Sequence, residues 1–396
     1  MKRAVAAIIG AGPAGLRAAE VLVSAGCQAR VYEQKPSLGR KFLIAGRGGL
    51  NITHSEPLDS FASRYDSPER WEKLLQRFTP SQVRDWFEKL GAPTFVGTSG
   101  RVFPRSHRAP AILEKWLEHL DGLGCELLTG YRFHQLLGQR PFDIVFQRGK
   151  DFPFVTVDAV VFAMGGASWP QTGSDGNWVK EFRRLGVQVN DFIASNVGWE
   201  RQWSKEFLAV ADGKPLKNLA VTCGGRTVRG ELIVTNYGLE GGALYQLSRE
   251  LRRSPAIEID FRPDLTVSDL HRRWRKDLSL REGAAKALRL SAAAFGLIEE
   301  VAAPPDLSAF LSVLKRCQVK LERPRPIDEA ISSAGGVAWD ELNEELMLRQ
   351  APGIFCAGEM IDWDAPTGGY LLQGCFVTGT IAGQGAVNWI AQNSEA

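Results

Sequence analysis

Near the start of the chain, Gly10-Ala11-Gly12-Pro13-Ala14-Gly15 has the residue types and spacing of a phosphate-binding turn. Gly10 permits a tight turn, Gly12 lets backbone approach an anion, and Gly15 lets a following helix pack on the preceding strand. Pro13 and Ala14 open that helix, whose unpaired N–H groups point at the anion. Glu33, followed by Gln34, stands where an acid accepts from a ribose 2′-hydroxyl. The chemistry implied is recognition of an adenine dinucleotide with a free 2′-hydroxyl, since a carboxylate at Glu33 repels the 2′-phosphate of NADP. NAD and FAD both satisfy these residues.

A second chemical stretch runs from Gly39 to Ser55 and contains Arg40, Lys41, Gly46, Arg47, Gly48, Gly49, Leu50, Asn51, Thr53 and His54. Three glycines set so closely argue for a loop rather than a helix or strand. Such a loop lays backbone against a planar ring and a pyrophosphate while Arg40, Lys41 and Arg47 offset phosphate charge. Two further glycine signatures follow apolar strands: Gly165-Gly166-Ala167-Ser168 after Ala159–Ala163, and Gly358-Glu359 after Ile354–Cys356. Gly369-Tyr370-Leu371 lies just beyond. A dinucleotide gripped from both ends of the chain is long and stationary, which selects FAD as a resident, non-covalent cofactor and leaves NAD(P)H as a transient one.

The polar and aromatic side chains nearest in sequence to these contacts are Asn51, Thr53, His54, Trp169 and Tyr370. Any of them can orient a substrate over a flavin. Histidine exchanges protons near neutral pH, so His54 is a candidate base; its alternative role is that of a hydrogen-bonding loop residue. Arg101 can clamp a carboxylate or phosphate, or form an ordinary salt bridge. Hydride transfer needs chiefly positioning and desolvation, so no acid–base dyad is required. His107, His119, His134 and His271 show no ligand spacing with acids or thiols, and no metal is expected.

The elements that must position these residues alternate. Ala4–Ile9 and Ala29–Tyr32 read as strands around a helix ending near Ser24. From Leu58 to Leu123 the apolar pattern is helical, with Thr79-Pro80 as one start, and strands resume at Gly124–Thr129, Tyr131–Leu137, Phe142–Gln147 and Phe154–Ala163. After Arg184 short strands between turns suit a small barrel or sandwich, and Leu265–Cys317 returns to helix. The expected fold is α/β: a doubly wound, Rossmann-like cofactor domain split in two by an insert of short strands and then helices. The expected boundaries are 1–185 and 326–396 for the two parts of the cofactor domain, 186–264 for the barrel and 265–325 for the helices.

Composition bounds the class. The chain has 396 residues, of which 44% are hydrophobic and 23% charged, enough for a large core and more than one domain. There is no signal-peptide order at the N-terminus and no apolar run of roughly 18 residues, so a soluble, cytoplasmic protein without membrane partners is expected. Six scattered cysteines form no C-x-x-C pair and read as small buried hydrophobes. The net charge of +3 does not by itself signal nucleic acid. The basic stretch from Arg249 to Arg289 is interrupted by Asp269, Asp277 and Glu282, as a solvated helix face would be, and an RNA-binding surface is the alternative.

Gly39-Arg40-Lys41, Ala45 to Thr53, Ala357-Gly358-Glu359-Met360-Ile361-Asp362 and Thr367 to Gln373 together resemble the bacterial HI0933-like (BaiN/YhiN-type) family of FAD-dependent flavoproteins. The resemblance runs along the whole chain, through Gly165 to Ser168, Gly173 to Gly176, and Thr235 to Gly242. It departs at Leu50, and at Asn236 and Glu240, where the family more often has His and then a Ser-Gly pair, which places the chain in a divergent branch. The resemblance implies a two-part, Rossmann-like FAD-binding domain of the two-dinucleotide-binding-domain flavoprotein type, interrupted by a β-barrel plus helical insert that roofs the isoalloxazine, with no separate nicotinamide domain. It implies that Glu359 hydrogen-bonds the ribityl chain and that the helix starting at Gly368–Gly374 points its N-terminus at flavin N1 and the C2 carbonyl, which raises the flavin potential. The expected activity is hydride exchange between flavin N5 and a small organic substrate, with NAD(P)H or oxygen as second partner. The alternatives are flavin-dependent reduction of uracil in ribosomal RNA and a flavin-bearing sensor without turnover.

Overall fold

The structure is a computed structural model that describes residues 4–45, 49–106, 108–275 and 277–393. Gly46, Arg47, Gly48, His107 and Lys276 lie outside the described residues. The chain divides into two units, one built from Met1–Ile193 with Ser332–Ala396, the other from Ala194–Ile331.

In the first unit a five-stranded sheet has the order Ile354–Cys356, Ala159–Phe162, Val5–Ile9, Gln28–Glu33, Glu126–Thr129. Its pairings are all parallel, with Ala7 opposite Val160 and Ile8 opposite Val31. Ala159–Phe162 is buried at every position, as a strand covered on both faces requires. The helix Pro13–Ser24 crosses from the first strand to the second and packs on the long helix Tyr370–Asn393. Gly379 and Gly383 make that approach possible, because a Cβ at either would strike the backbone of Ala14 or Ala18.

Around this layer, Pro80–Lys89 starts with a capping box between Thr79 and Gln82, as the Thr79-Pro80 signal predicts. It packs with Ala109–Gly122 over the first helix, where the buried Glu20 carboxylate accepts from the indole N–H groups of Trp86 and Trp116, each at 2.9 Å, with Arg17 3.2 Å away. The expected loop from Gly39 to Ser55 is partly ordered instead. Arg40–Ala45 forms a helix that buries Phe42, and Thr53–His54 pairs with Arg101–Pro104. Arg-Lys-Phe-Leu-Ile-Ala contains good helix formers with an apolar anchor, and that outweighs the glycines that follow.

The second unit is a six-stranded antiparallel sheet in the order Trp199–Glu200, Gly238–Glu240, Arg226–Thr235, Pro215–Cys223, Ala256–Asp260, Cys317–Lys320. The chain just past the last strand bonds the first, through Glu322 N–H to Glu200 O and Glu200 N–H to Arg323 O, both 2.8 Å. The sheet thereby curls back on itself in the manner of a barrel. Helices Ala292–Ala302 and Leu307–Lys315 bury Leu297, Phe310 and Leu314 with Val221, Ile257 and Val319. The predicted helix therefore stops before Cys317, where residues alternate buried and exposed and pair with Ala256–Asp260.

Candidate functional site

The glycine turn has the geometry its sequence requires. Gly10 takes φ +105°, and a side chain there would fall on the Ala163 carbonyl. A Cβ at Gly15 would fall on the Gly10 carbonyl oxygen, so the helix can sit on the turn only because that residue is glycine. At Gly12 the opposite holds: φ is −78° and nothing lies within 4 Å of where a Cβ would be. Beyond Gly12, Pro13 and Ala14 begin a helix with no side-chain cap and no acid in its first turn, so its N–H groups face open space.

Glu33 closes the turn from the other side. Its carboxylate accepts from the backbone N–H of Ala11 at 3.0 Å and of Lys35 at 2.8 Å, and burial pushes its pKa above the ordinary carboxylate value. Gln34 Nε2 donates to the Gly173 carbonyl at 2.7 Å, tying the second strand to the loop after Gly165.

Lys41 joins elements far apart in sequence. Its Nζ donates to Ser168 Oγ at 2.8 Å and to Glu359 Oε2 at 2.6 Å. Arg40 donates to Ser37 Oγ at 3.1 Å, while its Nε is buried without a partner among the described residues. The same is true of Asn51 Oδ1, Thr53 Oγ1 and Ser174 Oγ. Asn51 Nδ2 reaches the Gly49 carbonyl at 3.4 Å, and Leu50 beside it is buried. Gly165 packs against the Ser174 hydroxyl and Gly166 against that of Ser333, which accepts from Ala167 N–H at 3.1 Å. Gly358 donates to Thr378 Oγ1 at 2.9 Å, while Asp362 accepts from Gly335 N–H at 3.0 Å and from Asn190 at 2.6 Å. Glu359 thus stands between two backbone anchors. Trp169 adopts a left-handed conformation, φ 59°, a strained state for a bulky residue.

At the start of the long helix, Gly369 (φ +104°) lies against the Thr53 carbonyl, so Thr53 and Tyr370 share one corner. Leu371 follows, half-buried and packed on the core. The Tyr370 hydroxyl donates to Glu56 Oε1 at 2.7 Å, its carbonyl accepts from Tyr65 OH at 2.7 Å, and its ring stacks on His54 at 5.5 Å. Burial, then the Glu56 carboxylate, raises the Tyr370 pKa. Burial works against ionisation of Glu56 too, but the bonds from Arg64 (2.7 Å) and Tyr370 outweigh it and hold its pKa below the ordinary value. His54 has both ring nitrogens occupied by backbone: Nδ1 accepts from Glu56 N–H at 3.2 Å, and Nε2 faces the Ser99 carbonyl at 3.0 Å.

The structure therefore brings Gly10 to Gly15, Glu33 and Gln34 to one turn, and links Lys41, Ser168 and Glu359. It joins Thr53, His54 and Tyr370 in a neighbouring corner. Gly46 and Gly48 lie outside the described residues. Sequence reasoning missed Glu56, Arg64, Tyr65, Ser333 and Thr378. None falls in a glycine signature, and only the position of Glu56 two residues after His54 could have flagged it. Unmet hydrogen-bonding atoms at Arg40, Asn51, Thr53 and Ser174, with the open space at Gly12, fit a ligand carrying phosphates, hydroxyls and a polar planar ring.

In the inserted unit, taken by itself, the basic stretch is interleaved with acids: Arg272 pairs with Asp269, Arg275 with Asp277 at 3.1 Å and Lys286 with Glu282 at 3.0 Å. The cysteines are free thiols, Cys27 partly exposed and the rest buried. Among the described residues no helix is long and apolar enough to cross a membrane, and no group of three His, Cys, Asp or Glu could hold a metal ion.

Comparison with known proteins extends these observations. The family model described as the HI0933-like protein Rossmann domain matches residues 4–385. A 3-dehydro-bile acid Δ(4,6)-reductase of Clostridium scindens is 26% identical, over 96% of this chain and 98% of that protein. A ribosomal RNA dihydrouridine synthase of Escherichia coli is 25% identical, over 94% of this chain and 95% of the other. Among solved structures, a flavocytochrome c3 fumarate reductase superposes with TM-score 0.53 at 16% identity, covering 98% of this chain and 78% of that one. The 3-ketosteroid Δ1-dehydrogenase of Sterolibacterium denitrificans does so with TM-score 0.53 at 14% identity, covering 97% and 99%. These two likenesses establish the shared fold.

Proposed function

Because the chain belongs to the HI0933-like family, we infer that it is an FAD-dependent oxidoreductase that binds its flavin non-covalently and exchanges a hydride between flavin N5 and a small organic substrate. NAD(P)H or oxygen is the second partner. The observation that carries this reading is the Lys41–Glu359 ion pair, which joins the two ends of the chain, together with buried polar atoms left without partners among the described residues. Arg40, Asn51 and Thr53 come from the N-terminal part and Ser174 from the middle, while Lys41 is tied to Glu359 from the C-terminal part.

The residues divide the cofactor between them. Gly10, Gly12, Pro13, Ala14 and Gly15 offer backbone N–H groups and open space to the pyrophosphate, with Arg40 adding charge; Glu33 and Gln34 take the ribose. Lys41 and Glu359, held together, face the polyol chain beside Gly165, Gly166 and Gly358. Gly49, Leu50, Asn51 and the turn Gly369-Tyr370-Leu371 line the ring, with Gly46 and Gly48 completing that loop. Bound there, FAD supplies the two-electron chemistry.

The chain's own part in turnover is to orient the substrate and hold a proton. Asn51, Thr53, His54 and Tyr370 are the candidates. Tyr370 keeps its hydroxyl proton on the oxygen, directed at the Glu56 carboxylate, and His54 holds the Tyr370 ring by stacking while its own nitrogens are spent on backbone. The named action of the Clostridium scindens relative, reduction of a 3-dehydro-bile acid, supports a conjugated carbonyl compound as the substrate class. The free thiols suit a reducing compartment such as the cytoplasm.

The test is spectroscopic. The purified protein should carry oxidised flavin absorbance that is released by denaturation, bleaches anaerobically with NADH or NADPH, and returns on passing the bleached protein to cyclohex-2-enone or to air. Purified protein that neither carries nor takes up FAD overturns the reading.

A further inference from the structure

Arg101 lies on the short strand Arg101–Pro104, opposite His54, and its Nε is 3.5 Å from where a Cβ on Gly368 would stand. It is half-buried, yet among the described residues its guanidinium makes no hydrogen bond and no ion pair. Of the other half-buried arginines of this unit, Arg17 pairs with Glu20, Arg30 with Glu126 and Arg64 with Glu56, while Arg40, Arg84 and Arg140 donate to neutral oxygens of Ser37, Thr94 and Asn393. Glu56, the carboxylate of this corner, is already committed to Arg64 and to the Tyr370 hydroxyl. Arg101 is therefore a positive fork left without an anion beside Gly368 and Tyr370, at the opening of the long helix. Thr53 Oγ1, on the residue paired with Val102, is buried without a partner in the same corner.

Leaving a cation part-desolvated and unpaired is costly unless something else completes it. A guanidinium presents a planar set of donors that matches two oxygens of a carboxylate or a carbonyl oxygen gaining negative charge. We propose that Arg101 is the substrate-anchoring residue, gripping a planar oxygen acceptor conjugated to the substrate's reducible double bond. This rests on the oxidoreductase reading and its conjugated carbonyl substrate class, and adds the residue that holds the carbonyl or carboxylate oxygen. The oxygen belongs either to an unsaturated carboxylate or to an enone; the charge left unmatched at Arg101 suits both.

The experiment titrates FAD-loaded protein with trans-cinnamate and, separately, with cyclohex-2-enone, following perturbation of the flavin bands, in the natural protein and in Arg101→Gln and Arg101→Lys. At least one probe should bind the natural protein. Its affinity should fall about ten- to hundred-fold in Arg101→Gln, the loss of a charge-assisted pair, and recover in part in Arg101→Lys. FAD content and thermal midpoint should be unchanged. Cinnamate as the sensitive probe identifies a carboxylate substrate, and cyclohexenone an enone. Equal affinity in all three proteins, no binding of either probe, or loss of FAD from Arg101→Gln overturns the proposal; the last would make Arg101 a cofactor-phosphate residue. Absence of flavin from the natural protein is a separate result that removes the oxidoreductase reading itself.

Discussion

Lys41 Nζ lies 2.6 Å from Glu359 Oε2, an ion pair between residues 318 positions apart that joins the helix Arg40–Ala45 to the segment after the strand Ile354–Cys356. The Glu359 side chain is only 10% exposed and that of Lys41 25%, so removing either partner strands a poorly hydrated charge. Lys41→Met and Glu359→Gln should each weaken FAD retention by about ten-fold or more and lower the melting point of the FAD-free protein. The double variant should lose less than the sum, with a coupling of about 1 kcal/mol or more. Strict additivity of the single effects, measured by flavin release and thermal melts, would show that the contact carries no energy.

Two glycines three residues apart in one motif should fail in different ways. Gly12 has a backbone conformation open to any residue and empty space around it, so Gly12→Val should fold with a melting point close to the parent's yet bind no FAD. Gly15→Val drives a side chain into the Gly10 carbonyl and should instead destabilise the protein by several kcal/mol, roughly the cost of severe overpacking. Flavin absorbance after gel filtration, beside circular dichroism melts, separates the outcomes. A flavin-replete Gly12→Val removes the pyrophosphate assignment.

These contrasts show what the sequence could and could not say. The turn at Gly10 to Gly15 was legible because its glycines answer local demands, a tight turn and a close helix, and local demands write themselves into spacing. Ser332–Val337 was not: Ser-Ser-Ala-Gly-Gly-Val has no strand pattern, and it forms a strand buried at all six positions because surrounding structure leaves no room for larger side chains. Glu56 carried little signal beyond its nearness to His54, for a related reason. Its partners Arg64 and Tyr370 come together only in the fold, and nothing in the order of the residues links positions 56 and 370. At His54 the reverse occurred, since the residue type promised acid–base chemistry and the fold assigned both nitrogens to backbone.

Glu20 should prove a stability residue with no direct part in turnover. Its carboxylate, 6% exposed, receives two indole N–H groups and faces Arg17, so Glu20→Ala leaves three donors without an acceptor. The expected loss is about 3–5 kcal/mol, the range for breaking a buried charged network. Glu20→Gln keeps one acceptor oxygen and should cost less. Urea unfolding followed by tryptophan fluorescence reads the effect directly, because Trp86 and Trp116 are the donors. A loss below about 1 kcal/mol for Glu20→Ala would mean that water replaces the carboxylate at little cost.

Glu56 gives the corner around Tyr370 a defined acid response. Its folded pKa is depressed below the ordinary 4.5 because the bonds from Arg64 and Tyr370 outweigh the opposing effect of burial. A depressed carboxylate binds fewer protons folded than unfolded, so its contribution is fully present above about pH 4.5, the unfolded value, and is lost as pH falls through the folded pKa. Glu56→Gln removes the titrating group, still offers Tyr370 an acceptor, and breaks the Arg64 pair. Unfolding free energy measured across this acid range should fall more steeply for the parent than for Glu56→Gln, each unit of depression being worth about 1.4 kcal/mol. The two proteins should differ most near neutral pH and converge in acid. Parallel curves would mean that Glu56 stays as protonatable in the fold as in the unfolded chain and that the Arg64 bond contributes nothing to its ionisation.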